Sequence, residues 1–467
     1  MPITLAVDFG STYTKVAAID CDDERLVGRA QSPTTVAAGV MLGLGRALAL
    51  LEADCGVRRG DFGLRLASSS AAGGLRVVAI GLVPDLTAEA ARRAALGAGA
   101  RVQRVFAYEL SRGDLREIAR IAPDLILLCG GTDGGERKTI VRNASALAAA
   151  GLRAPVVVAG NRSAADEVQA VLQAASMDFT IVGNVLPELD RLDVEPARAA
   201  IRSVFMNRIA QAKGLDQAEA YVGRIVMPTP MAVLEGARLL AGEGGMGDIV
   251  VVDVGGATTD IHSIASGLPS TPGLVPRGLP EPFAKRTVEG DLGIRVNAPA
   301  IVEAAGAARV AALAGGQWTP QTVMDHVQRL AREVGHVPDT AAEHALDAAL
   351  ARVAVDTALE RHAGQVTTTY TPMGAVQLLH GKDLGAVPTV IGTGGVLVHG
   401  RHPRRVLEAA RYSAASPTSL RPRAPALLID RSYLLFAAGL LTPVAPLAVS
   451  RLLRRHLLAA EESPHAH

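Results

Sequence analysis

Two stretches of this chain end an apolar run in an acid and follow it with glycine and hydroxyls. The first is Leu5-Ala6-Val7-Asp8-Phe9-Gly10-Ser11-Thr12-Tyr13-Thr14-Lys15. The second is Val251-Val252-Asp253-Val254-Gly255-Gly256-Ala257-Thr258-Thr259-Asp260. The chemistry they suggest is that of a polyphosphate site. Glycines remove side chains where backbone N–H groups must approach a ligand closely. Asp253 and Asp260 can order a hydrated divalent cation, which prefers oxygen ligands and keeps several waters. Thr258 and Thr259 can hydrogen-bond phosphate oxygens. Lys15 either faces a phosphate or alternates outward on its strand. Asp260 either joins the site or ends the turn. Two copies of one pattern in a chain predict two similar half-folds clamping one polyphosphate.

Such acids must sit at the ends of buried strands. Ile3–Asp8 and Lys15–Asp20 read as a hairpin around the first turn. Ile249–Val252 enters the second turn, and residues 261–265 return from it. Val387–Ile391 is a further strand, ending in Gly392-Thr393-Gly394-Gly395. From about residue 100 to 190 the pattern alternates strand and helix, which predicts a parallel sheet with covering helices. Its strands end at Gly130–Gly135, Gly160-Asn161 and Gly183-Asn184, where ligands of such sheets bind. Asp133 there either contacts a nucleotide or makes a turn. Ser68-Ser69-Ser70 either touches a ligand or forms a hairpin tip. Residues 267–285, rich in proline and glycine, read as a long loop. Glu289 and Asp291, beyond it, are either a surface turn or part of the site. Ala341–His362 reads as a long helix, and Val444–Ala460 as helical and basic.

The bulk numbers exclude several roles. Among 467 residues, 47 basic and 46 acidic side chains leave a formal charge of +1. That balance gives no electrostatic case for nucleic acid or membrane binding. The three cysteines are scattered, which predicts a reducing compartment and no cysteine metal site. The eleven histidines show no metal spacing, and His262 reads as a strand residue. The opening residues run straight into a strand rather than a secretory leader. Asp430 and Arg431 interrupt the one long apolar stretch, residues 424–449. A soluble, cytoplasmic protein is expected.

The order of Asp8–Lys15, Asp253–Asp260 and Gly392–Gly395 resembles the superfamily of actin, the heat-shock chaperone ATPases and the sugar kinases. The resemblance implies an α/β fold of two ribonuclease-H-like lobes around ATP and Mg2+. By that likeness the first lobe covers residues 1–245, with an inserted parallel α/β region at about 100–190. The second lobe covers 246–441, and a basic tail 442–467. Asp8 would order magnesium through water, with Asp253 as the second metal residue. Asp260 would join these two in the catalytic set. Gly10, Ser11, Thr12 and Lys15 would surround the outer phosphates. Gly255, Gly256, Thr258 and Thr259 would hold the other side, and Gly392, Gly394 and Gly395 would lie against the nucleoside. Asp133, Glu289 and Asp291 complete the candidate nucleotide residues. Phe436–Leu440 resembles the second connecting helix. The first loop departs from the pattern in carrying Phe9 before its glycine, where Ile or Val is commoner. Phe9 should point into the core.

The likeness narrows. Asp-x-Gly-Ser-Thr-x-Thr-Lys, Leu-x-x-Gly-Gly-Thr-Asp-Gly-Gly, Ala-Gly-Asn, Asp-x-Gly-Gly-Ala-Thr-Thr-Asp and Val-Glu-Gly-Asp-Leu-Gly occur in that order. Together they resemble the MutL/GlmL family, accessory proteins of adenosylcobalamin-dependent glutamate mutase (unrelated to the mismatch-repair protein of the same short name). The resemblance implies an ATP-dependent reactivation chaperone whose partner is the mutase. The chain lacks an Asp-x-His-x-x-Gly cobalamin motif, which argues against its being the mutase itself. The alternatives are a small-molecule kinase, which needs a catalytic acid facing a substrate pocket, and an actin-like filament protein.

Overall fold

The structure is a computed structural model that describes residues 3–10, 12–34, 39–70, 75–210, 215–223, 225–242, 244–372 and 374–461. The chain folds into two compact units. The first comprises Met1–Ser68, Val222–Arg277 and Glu281–His467, and the second Ser69–Tyr221 with Gly278–Pro280.

The first unit holds two sheets of one design. Strands β1 (Ile3–Phe9), β2 (Tyr13–Asp20), β3 (Arg25–Pro33), β4 (Phe62–Ser69) and β10 (Ile225–Pro228) lie in the order β10-β4-β1-β2-β3. Strands β11 (Ile249–Val254), β12 (Thr259–Ile264), β14 (Ala284–Glu289), β17 (Thr389–Thr393), β18 (Ala426–Asp430) and β19 (Leu457–Ala459) lie in the order β14-β12-β11-β17-β18-β19. In each sheet the first strand pairs with the second, and the third lies beyond the second. The fourth flanks the first, and the fifth lies outside the fourth. Only β19 is extra. The leading strands are nearly continuous apolar runs, and Leu5, Val7, Phe9 and Val250–Val252 are all completely buried, as strands covered on both faces require. Phe9 points into the core, as its place on the strand predicts.

A helix follows the fifth strand of each sheet, Thr229–Ala241 after β10 and Leu435–Leu441 after β18. The two cross at glycines. A Cβ on Gly236 would stand 2.2 Å from the Leu435 carbonyl oxygen, and one on Gly439 would stand 1.8 Å from that of Ala232. Backbone touches backbone, which no larger residue permits.

The segment 267–285 is not one long loop. It contains β13 (Leu274–Arg277) and enters β14, and β13 joins β15 (Gln365–Thr371) and β16 (Gly374–His380) in a three-stranded sheet. The strand signal is weak because β13 is mostly exposed and takes its pairing from a distant strand, β16. The stretch 444–460, read as helical and basic, does hold a helix, and it packs into the fold. Helix Pro446–His456 is followed by β19, antiparallel to β18. Arg451 and Arg455 both bond Glu24, and Arg454 donates to the Gly244 carbonyl at 2.8 Å. Its arginines are used inside the fold.

In the second unit, β5 (Arg76–Gly81), β6 (Arg101–Ala107), β7 (Leu125–Leu128), β8 (Val156–Val158) and β9 (Phe179–Ile181) form a parallel sheet in the order β6-β5-β7-β8-β9. The unit thus begins earlier and ends later than residues 100–190. The three motifs at its strand ends meet. Asn161 accepts from Gly134 N and donates to the carbonyls of Gly135 and Glu136. Asn184 donates to the Gly131 carbonyl and to Asp133 Oδ1.

Candidate functional site

The two hairpins of the first unit have one geometry. Across β1 and β2, Asp8 lies opposite Lys15; across β11 and β12, Asp253 lies opposite Asp260. Each turn closes on itself, Gly10 N donating to the Tyr13 carbonyl at 3.1 Å and Gly255 N to that of Thr258 at 2.9 Å. Thr14 and Thr259 are buried at matching positions. The turns face each other, since a Cβ on Gly256 would lie 3.8 Å from Thr12 Oγ1. Ser11 lies outside the described residues.

Distant segments brace each turn. Thr34, just after β3, donates from Oγ1 to the Gly10 carbonyl and from N to that of Thr12, both at 2.8 Å. The second turn is held by residues 290–297. Ile294 N donates to the Gly255 carbonyl at 3.2 Å and Arg295 N to that of Gly256 at 2.9 Å. Asn297 Nδ2 bridges the carbonyls of Ala257 and Gly290.

The acids have different partners. Asp8, almost wholly buried, accepts from Ser68 Oγ at 3.1 Å and from Thr229 Oγ1. Lys15 Nζ lies 3.5 Å from Asp8 Oδ2 and 4.7 Å from the centre of the Tyr433 ring. Lys15 therefore points into the site, where a cation over an aromatic face is favourable. Asp260 accepts from Arg286 Nη2 at 2.7 Å and Thr258 Oγ1 at 2.9 Å. Asp253 receives no side-chain hydrogen bond from the described residues. Burial first, and then Asp260, push its carboxyl up to about 7; Lys15 opposes them and Asp8 adds to them. Three carboxylates thus converge with too little positive charge among them. A hydrated divalent cation relieves such an arrangement, so the donor set fits one.

Other candidate residues fall in different places. An added Cβ on Gly392 would meet the core side chains Leu397, Leu407 and Ile429, so this glycine serves packing. Gly394, with φ of 94°, lies against the Val254 backbone, where a Cβ would come within 2.3 Å of its oxygen. Gly395 is exposed, and a Cβ there would lie 3.8 Å from the Tyr433 hydroxyl. Glu289 and Asp291 both bind the Arg361 guanidinium at 2.6 and 2.8 Å. Asp133 lies in the second unit, accepting from Asn184 Nδ2 and Arg162 N. His262 is fully buried within β12, as a strand residue should be. Burial holds its imidazole well below its usual range.

Thr34, Thr229, Arg286 and Tyr433 were not expected in the site. Thr229 carried a signal that only the duplication reveals. It follows the fifth strand of its half, as Arg431 follows the fifth strand of the other. Arg286 and Tyr433 carried none.

Two half-folds of one strand order, joined by two crossing helices, define the actin-like ATPase class of fold. Residues 4–457 match the family described as MutL protein, and the chain belongs to that family. It is 46% identical over 465 residues to "Protein MutL" of Clostridium tetanomorphum, covering 98% of this chain and 100% of the relative. Among solved structures it is similar to a glycerol dehydratase reactivase, at 11% identity over 95% of this chain and 99% of the other, with a TM-score of 0.35. It is also similar to a nucleotide-free acetone carboxylase, at 14% identity over 94% of this chain and 70% of the other, with a TM-score of 0.41. Among the described residues no helix is long and apolar enough to cross a membrane.

Proposed function

We propose that this chain is an ATP-dependent reactivation chaperone for an adenosylcobalamin-dependent mutase of the glutamate mutase type. It works by nucleotide-driven closing and opening of the two half-folds. Membership of the MutL family supports the accessory role. The observation that carries the nucleotide reading is the facing of the two glycine turns around Asp8, Asp253 and Lys15. In this reading Asp8 and Asp253 hold a hydrated magnesium ion. When bound, Mg2+ neutralises charge on the phosphate oxygens. Backbone N–H groups of the two turns, with Thr12 and Thr258, bond the phosphates. Lys15 supplies a second positive charge, steered by Asp8 and the Tyr433 ring. Asp253 and Asp260 orient the attacking water, and Gly395 leaves room for the nucleoside. Polyphosphate gripped from both turns favours the closed state, and its cleavage removes that grip. A mutase bound more tightly to one state is then loosened, and damaged cobalamin leaves.

The test mixes the purified protein with inactivated mutase, fresh cobalamin and Mg-ATP. Activity should return only with ATP, and ATP turnover should rise with the mutase rather than with a sugar or small acid. Equal recovery without ATP would sink the chaperone reading. Turnover stimulated by a small molecule alone would favour a kinase.

A further inference from the structure

A second cluster of ligand-type side chains lies behind the second glycine turn. One ring nitrogen each from His326 and His336 and one carboxylate oxygen of Glu343 all lie within 4.8 Å of one another. His326 sits on helix Pro320–Arg332, His336 in the link that follows, and Glu343 in the first turn of helix Ala341–His362. The sequence shows no metal spacing here because the link folds back and brings together residues from three elements.

One member of the cluster lacks a hydrogen-bond partner. His336 Nε2 is buried without a hydrogen bond, yet it stands 3.4 Å from Glu343 Oε1. Two ligands each about 2.1 Å from a tetrahedral zinc ion stand about 3.4 Å apart. A cation already occupies the middle of the cluster. Arg329 Nη2 lies 2.6 Å from Glu343 Oε1 and 3.2 Å from His326 Nδ1. The Arg329 side chain is 40% exposed, so it can swing into solvent. The other Glu343 oxygen is fixed by the Asp339 N–H at 3.2 Å, and Trp318 packs edge-on against His326 with ring centres 5.1 Å apart.

We propose that His326, His336 and Glu343 bind a divalent transition metal of the zinc class, displacing Arg329 and leaving the fourth position to water. Two imidazoles and one carboxylate suit zinc, whereas magnesium and calcium prefer oxygen donors. The ion staples the two helices together across their link. Its effect reaches the second turn through Arg295. Arg295 Nε donates to the His336 carbonyl at 3.1 Å, its Nη atoms grip Asp347 at 3.0 and 2.6 Å, and its backbone N holds Gly256. The ion-binding test does not depend on the nucleotide reading.

Full-length protein, stripped of metal with a chelator, is titrated with zinc chloride by calorimetry and with cobalt chloride by visible absorption. We expect one ion per chain that excess magnesium does not displace, and cobalt bands of a four-coordinate site. His336→Ala and His326→Gln should each weaken binding by about tenfold or more, and Arg329→Gln should tighten it by removing the competing cation. If a histidine variant folds poorly, melting gives an independent readout. Zinc should raise the wild-type melting temperature and leave that of His336→Ala unmoved. Absence of stoichiometric binding by wild type overturns the proposal. So does binding that His336→Ala leaves intact, or Arg329→Gln failing to tighten it.

Discussion

Set side by side, the hairpin of β1 and β2 and that of β11 and β12 place an acid, a closing glycine and a buried threonine at matching positions. Opposite the acid, however, the first has Lys15 and the second has Asp260. One backbone thus serves two charge states. In the first hairpin acid and cation neutralise each other locally. In the second, two acids share one strand pair, and the compensating charge comes from Arg286 on the neighbouring β14. Burial first, and the facing Asp260 next, raise the Asp253 carboxyl, and Lys15 and Arg286 offset them only in part. The asymmetry is a way to build a cation site by duplication: keep the turn, invert one charge, and anchor the inversion from the next strand.

The largest effect should come from breaking that anchor. Arg286→Met leaves Asp260 buried and charged, and should cost about 3–5 kcal/mol in urea unfolding. Adding Asp260→Asn should recover most of the loss. Full stability in the single variant would show that Asp260 does not depend on Arg286. Next, Lys15→Glu gives the first hairpin the polarity of the second with no arginine to compensate. ATP turnover should fall by about a hundredfold with the fold retained; a loss below about threefold would mean that Lys15 does not face the phosphates.

A third test uses pH. The folded Asp253 carboxyl titrates at about 7, above the ordinary value of about 3.9 expected in the unfolded chain. Between these values the folded state holds a proton that the unfolded state has released. Stability should therefore fall as pH rises from about 4 to about 7, then level off. Asp253→Asn should flatten this slope in denaturation series, and Asp8→Asn should only narrow it, because the Asp8 charge is one of the lesser causes of the Asp253 shift. The smallest effect belongs to the bracing of the first turn. Thr34→Val keeps the side-chain shape but loses the bond to the Gly10 carbonyl, at a cost of about 1 kcal/mol. An unchanged unfolding midpoint would show that the first turn stands without this brace.

The hairpins were legible because everything that makes them is local: apolar run, acid, glycine, return strand. The motif places each acid at the end of a strand beside its turn, and the structure adds the pairing of Asp8 with Lys15 and of Asp253 with Asp260. The parallel sheet of the second unit was legible for the same reason. What escaped was supplied from far along the chain. Strand Ala284–Glu289 escaped, its first residues falling at the end of the loop read over 267–285, although Lys285, Arg286 and Thr287 are buried. Their burial becomes tolerable only where Glu281 and Asp260 meet those cations; Glu281 is local to Lys285, but sequence order does not place Asp260 beside Arg286. Thr229 reaches Asp8 only because β10 joins a sheet that began more than two hundred residues earlier. His326, His336 and Glu343 meet through a fold-back in a link that has no periodicity to read.

The glycine crossing of Thr229–Ala241 with Leu435–Leu441 sets a different kind of limit on the molecule's history. The hairpins were free to diverge, since a lysine and an aspartate fit the same strand position and a neighbouring strand can answer the change. At the crossing, Gly236 and Gly439 each leave a partner carbonyl no room for even one methyl group. Steric exclusion there acts on both copies at once, so neither helix can drift alone. Of the two features repeated in the half-folds, the turn is the one to which we assign chemistry, and its charges differ between the copies. The crossing carries no chemistry, and its glycines are the part that geometry forbids the chain to alter.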